Sequence, residues 1–223
     1  MTINMLAGTG TILILVYGVA SAQGVILDRT GSLAGQIPVE KRLVDALVDA
    51  TPIVPSLELI LVSEGILSEQ AERISAAVGQ GSSRIGYIRE KHIARQRLDL
   101  REQLERALSA RKSRQARKTD LSTMMYRADS ENHPTLVVTD GKDETGLALT
   151  RQGNGSGVLV VLCPARDDDP SREVKTFIER SKSITAMLPS AQVFACFEIK
   201  KAVNRWASQA GLPTAMQLTR ETH

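Results

Sequence analysis

Aromatic residues are scarce, at 3% of 223 residues, with a single tryptophan, three tyrosines and three phenylalanines. Any core must therefore be built from Leu, Ile, Val and Ala, and recognition of single strands by stacking on aromatic platforms is disfavoured. Cysteine is nearly absent as well. Cys163 and Cys196 are far from any metal-ligand spacing, and each sits in an apolar, strand-like run where a free buried thiol is the expectation. The three histidines, His92, His133 and His223, fall in a basic helix, a linker and the C-terminus, so no histidine-centred catalytic or metal cluster is legible. No serine occupies a nucleophile elbow. No catalytic residue, cofactor or metal site is assigned from the sequence.

Charge is missing from residues 6–27, LAGTGTILILVYGVASAQGVIL, a run long enough to span a bilayer but diluted by four glycines and Gln23. Ala20-Ser21-Ala22 resembles a signal-peptidase site, although no Lys or Arg precedes the apolar run as in an ordinary secretory signal. The preferred reading is a pair of strands, residues 11–17 and 24–28, followed by a turn at Asp28-Arg29-Thr30-Gly31. A membrane anchor through residues 6–27 comes next and a cleaved signal last. The corresponding location is cytoplasmic, or membrane-anchored with a cytoplasmic body.

What the chain does have is a basic middle. Its net charge is +3, yet residues 84–118 hold twelve Lys or Arg against four acids, which leaves the remainder net acidic and argues for an acidic partner. Ile93, Leu100, Leu104 and Leu108 form one narrow apolar stripe of a helix. Beyond Leu108 the stripe stops, and Arg111, Lys112, Arg114, Arg117 and Lys118 have no packing duty. Just upstream, Ile74, Ser75, Val78, Gly79, Ile85 and Ile88 match the spacing of a helix-turn-helix, whose second helix would present Arg84, Tyr87, Lys91 and His92 away from the core, with Arg95 a further nucleic-acid contact. Any αα-hairpin with a glycine turn gives the same spacing. SEGILSEQ followed by SSRIGYIRE also resembles the helical N-terminal domains of secretion and pilus assembly ATPases. Arg84 and Gly86 match that pattern, whereas Arg89 and Ile93 replace its leucine and later glycine, and no site is carried over.

Around this middle, residues 38–50 predict an amphipathic helix with Val39, Leu43, Ala46, Leu47 and Ala50 on one face, and residues 55–65 a short second helix. After a linker at residues 130–134, strands are expected at 135–139, 145–150 and 158–163, joined as an antiparallel meander through Asp140-Gly141 and the GNGSG loop. Asp169 is read as the N-cap of a helix with Pro170 at its first position, and Pro189 as that helix's stop. A strand at 192–197 and a helix carrying Ile199, Val203, Trp206 and Ala210 complete a β-β-β-α-β-α order. That order resembles ribonuclease-H-like folds, and its first four elements resemble part of roadblock-type dimerisation modules. The first resemblance implies carboxylates converging from Asp140, Glu173 or Glu179, and Glu198, as in a metal-dependent nuclease.

The sequence thus predicts an α+β protein with an antiparallel or mixed sheet and a helical, basic middle containing a possible helix-turn-helix. Three segments are expected: residues 1–65, 66–128 and 129–223. The leading function is non-enzymatic DNA binding through the middle, with the C-terminal part for homodimerisation or partner contacts. The alternatives are a scaffold subunit of a membrane-attached or secretion-type assembly, and the nuclease.

Overall fold

The run VLVVL is apolar at every position, which suits a strand covered on both faces. In the computed structural model it is β5 (Val158–Leu162), and all five of its residues are buried. The structure describes residues 23–29, 33, 36–50, 57–62, 72–76, 86–109, 120–130, 133–143 and 157–209. Beside β5 run β4 (Thr135–Thr139) and then β1 (Gln23–Asp28), with β2 (Leu57–Val62) and β3 (Glu72–Ala76) beyond β1, and β6 (Gln192–Ala195) on the far side of β5. The order is β3-β2-β1-β4-β5-β6. Strands β2, β1, β4, β5 and β6 are all parallel, and only β3, at the edge, runs antiparallel to its neighbour β2. One sheet therefore draws strands from each of the three segments.

The two-residue period of the strands divides the core into two layers. Val25, Leu27, Leu59, Leu136, Val138, Leu159 and Val161 face one side. They meet α1 (Ile37–Ala50), α2 (Gly86–Ser109) and α5 (Ile199–Gln209), which contribute Leu43, Leu47, Leu100, Leu104, Val203 and Trp206. Ile26, Ile60, Val137, Val160 and Leu162 face the other side, against Met124 and Ala128 of α3 (Leu121–Ser130) and Ile184 of α4 (Glu173–Met187). Among the described residues no helix is long and apolar enough to cross a membrane.

This α/β arrangement overturns the antiparallel or mixed α+β expectation. Residues 135–139 and 158–162 are neighbours as expected, but parallel; parallel strands need a long crossover rather than a hairpin. Residues 145–150, the middle strand of the predicted meander, lie outside the described residues, as do residues 11–17. Residues 57–62 are a strand rather than a helix, because LELILV pairs along its whole length with β1. The helix-turn-helix spacing is overturned too. Ile74 and Ser75 lie in β3, paired with Leu59 and Glu58 of β2, so no first helix forms there. Gly86 is the first described residue of α2. The stripe of Leu100, Leu104 and Leu108 is real and buried. Trp206 is buried against the sheet, on the face opposite α4.

Cys163 and Cys196 are not free thiols: they form a disulfide. Leu162 and Ala195 are partners in the β5–β6 ladder, so the cysteines that follow them emerge side by side. Thirty-three residues separate the two in sequence, and the register closes that distance.

Candidate ligand-binding cleft at the carboxyl ends of the strands

In an open parallel sheet, the chain leaves each strand at its carboxyl end, and ligands gather where the strand order reverses. Here that reversal lies between β1 and β4, since the chain builds outward from β1 to β2 in one direction and from β4 to β5 and β6 in the other. Each strand carries an aspartate at this end. Asp28 is the last residue of β1 and is 1% exposed; Thr139, the last residue of β4, and Asp140 just after it are both 0% exposed. A carboxylate this deep must be hydrogen-bonded, paired or metal-coordinating to offset its lost hydration.

Part of that compensation is visible. The Thr139 hydroxyl donates to Asp28 Oδ2 at 2.8 Å and accepts from the Gly141 amide at 3.1 Å. The Lys142 amide donates to Asp140 Oδ1 at 2.9 Å. Gly141 turns the chain with φ at +75°, and a Cβ there would sit 2.6 Å from Leu162 Cδ2, so only glycine suits both the backbone and the space. Next to Asp28, Arg29 turns away. Its Nε lies 3.0 Å from Glu40 of α1, and its guanidinium donates to the Leu108 carbonyl at 2.9 Å, near the negative end of α2.

A cleft of about 910 Å³ opens over the carboxyl ends of β4, β5 and β6. Asp140, Leu162 and the Cys163–Cys196 disulfide line its floor, and Phe177, Val174 and Phe197 bring apolar surface to its walls. Phe197 is 79% exposed and Val174 is 74% exposed. Across the mouth, Gln36 Nε2 donates to the Pro164 carbonyl at 2.9 Å, tying the approach to α1 to the loop after β5.

The aspartate triplet at 167–169 organises one wall. Asp169 caps the turn that leads into α4, accepting from the Ser171 amide at 2.9 Å and the Ser171 hydroxyl at 2.7 Å, as its N-cap reading predicts. Asp168 accepts two hydrogen bonds from the Arg180 guanidinium, at 2.7 and 2.6 Å, and a third from the Ala165 amide. Burial works against ionisation of Asp168, but Arg180, the Ala165 amide and Lys142 outweigh it and hold the carboxyl below its usual range. The Lys142 ammonium bonds Asp167 Oδ1 at 2.7 Å and, with that carboxylate's own backbone hydrogen bond, lowers its pKa.

Of the sequence-predicted nucleic-acid contacts, Lys91 and Arg95 are exposed on α2, and neither lines the cleft. Tyr87 falls in the first turn of α2, where side chains are not described; Arg84, Arg111, Lys112, Arg114, Arg117 and Lys118 lie outside the described residues. The carboxylates named for a nuclease fare differently. Asp140, Glu173 and Glu198 all line the cleft, whereas Glu179 is exposed on α4 beside Lys175. Glu198 is engaged with Lys201 at 2.9 Å, the contact that most lowers its pKa. Among the described residues no three His, Cys, Asp or Glu side chains are grouped to hold a metal ion. What sequence reading missed is that Asp28 and Asp140 both fall at the carboxyl ends of adjacent strands, since each also opens a turn signal. The available signal was an acid at the end of a β-branched apolar strand, twice.

No family model matches the chain, and no curated protein does. Among solved structures, a von Willebrand factor type A protein from Catenulispora acidiphila is similar at a TM-score of 0.40 and 12% identity, over 85% of this chain. The chain spans 43% of that structure's length.

Proposed function

We propose that this protein is a binding module that takes a protein partner at the carboxyl ends of its parallel strands, with a hard divalent cation of the Mg²⁺ class held at Asp28 and Asp140. One observation carries the reading: two buried aspartates lie at the carboxyl ends of adjacent strands at the point where the strand order reverses, beside an open cleft. Mg²⁺ takes oxygen ligands, commonly one or two carboxylates completed by other oxygens and by water. Here a third oxygen, the Thr139 hydroxyl, stands against Asp28. In sequence, Thr30 and Ser32 follow Asp28 at two and four residues and add hydroxyls of the same chemical type; both lie outside the described residues.

A protein partner is favoured over a small molecule because the cleft's apolar walls include the highly exposed Phe197 and Val174. Apolar side chains ringed by charges such as Arg166 and Glu173 suit the centre and rim of an interface. Binding is favoured over catalysis because, among the described residues, the cleft's lining includes no histidine, and its two cysteines are joined to each other.

Titration calorimetry with Mg²⁺ and Mn²⁺ tests the reading on the wild type, Asp28→Asn and Asp140→Asn, with circular dichroism to verify folding. Saturable binding that weakens by about tenfold or more in each folded variant is expected. Absence of saturable binding to the wild type overturns it.

A second reading keeps the nucleic-acid expectation in a reduced form. Lys91 and Arg95 are exposed on α2, within a basic stretch whose positive excess exceeds that of the whole chain. We infer an electrostatic contact with phosphates there, without base readout by a helix-turn-helix.

A further inference from the structure

We propose that the Cys163–Cys196 disulfide is a thiol-exchange site: a small dithiol entering the cleft opens the bond in the folded protein, and its opening releases the wall that carries Phe197. Both cysteines line the cleft, so the bond faces a space that a small thiol can enter while the sheet stays intact. The two are unequally covered, Cys163 being 2% exposed and Cys196 8%. Exchange begins at the sulfur that the incoming thiolate can reach. Cys196 is therefore the point of attack, and Cys163 the leaving group.

What the bond holds follows from its place in the sheet. β6 has only four residues, each half-buried, and among the described residues it pairs with β5 alone. So short an edge strand has little buried surface with which to resist local opening. The disulfide ties its end to β5, whose residues are all buried. Cys196 also begins the single 3-10 turn, Cys196–Glu198, that displays Phe197 at the cleft wall. Glu198 steadies this turn by accepting from the Ala195 amide at 3.3 Å, a long bond. The loop after β5 is held differently. Asp168 accepts two bonds from Arg180, and the Pro164 carbonyl accepts one from Gln36. Opening the disulfide thus leaves that loop in place and frees the β6 side. The consequence for a partner rests on the cleft being the binding surface, whereas the exchange itself does not.

One thiolate of the dithiol attacks Cys196 Sγ, forming a mixed disulfide and expelling Cys163 as a thiolate, which takes up a proton. The second thiol then displaces Cys196 and closes the reagent into its own disulfide. The protein gains two electrons and two protons, and the dithiol gives up the same.

Dithiothreitol added to the full chain in non-denaturing buffer, with samples quenched in iodoacetamide, tests this. Intact mass counts the adducts, and circular dichroism verifies that the chain stays folded. No adduct is expected before reductant and two after it, at a rate that rises in proportion to dithiothreitol, as direct attack requires. Thiols that react without reductant, a rate that levels off at that of unfolding, or reduction only as the dichroism signal is lost overturns the proposal. Hydrogen exchange should speed up over residues 192–198 on reduction and stay unchanged over β1 and β4. Equal protection before and after would overturn the release of the Phe197 wall. Glutathione disulfide reads the point of attack: Cys163→Ser should take up glutathione at least about tenfold faster than Cys196→Ser, and equal rates overturn the choice of Cys196. Should either variant fail to fold, the wild-type rate law still decides whether the bond exchanges. None of these readouts uses a cation or a partner, so failure of the binding reading at Asp28 and Asp140 remains a separate result.

Discussion

The Thr139 hydroxyl donates to the Asp28 carboxylate at 2.8 Å, joining the carboxyl ends of β4 and β1 across 111 residues of sequence. Both groups are buried, so neither can replace the bond with bulk water. Thr139→Val keeps the shape and removes the donor. The expected cost is about 1–3 kcal/mol, the penalty for depriving a buried acceptor of its partner. Urea denaturation measures it, and a change below about 0.5 kcal/mol would show that Asp28 is satisfied without Thr139.

Trp206 is fully buried, and its indole N–H donates to the Pro134 carbonyl at 3.0 Å, pinning α5 to the entry of β4. Trp206→Ala should cost about 3–5 kcal/mol. Trp206→Phe retains ring packing but leaves that carbonyl without its donor, and should cost distinctly less. Trp206 is the sole tryptophan, so fluorescence of the wild type should be blue-shifted when folded and move to the red in a single step on unfolding. Because Trp206→Phe lacks the probe, circular dichroism compares the variants.

Asp168 should give the protein an acid-sensitive wall. Its folded pKa is depressed, so its contribution is present above the unfolded value of about 3.9 and is lost as pH falls through the folded value. Melting temperatures from pH 7 down to pH 3 should fall more steeply for the wild type than for Asp168→Asn, which starts lower. Parallel curves would mean that the Arg180 pair contributes nothing net to stability.

For the basic middle, the phosphate-binding proposal makes a salt-dependence prediction. Neutralising Arg111, Lys112, Arg114, Arg117 and Lys118 should weaken binding to all duplexes alike. The slope of log affinity against log salt should flatten by about 0.9 for each phosphate that the variant no longer neutralises. Replacing Lys91 and Arg95 should act in the same sense, with no change in sequence preference. If the wild type fails to retard duplex DNA even at low salt, the nucleic-acid reading is wrong.

Local chemistry was legible from the sequence alone. The β-branched runs at 24–28, 135–139 and 158–162 are strands, the apolar stripes at 38–50 and around Leu100, Leu104 and Leu108 are helices, and Asp169 caps where it should. These follow from side-chain period and capping, which depend on neighbours a few residues away. Strand direction does not, because an apolar run reports how deeply a strand is buried and says nothing of which way its neighbour runs. The one available hint, five consecutive apolar residues in β5, fits burial on both faces by helices. The helical spacing at Ile74 and Ser75 failed for a related reason: a short segment carries too little periodic information to resist a strand partner, and β2 supplied one. Only the tertiary structure decided the rest. Parallel register set Asp28 beside Thr139, and Cys163 beside Cys196, because both pairs are defined by which strands are adjacent and in what register, quantities that no local pattern encodes.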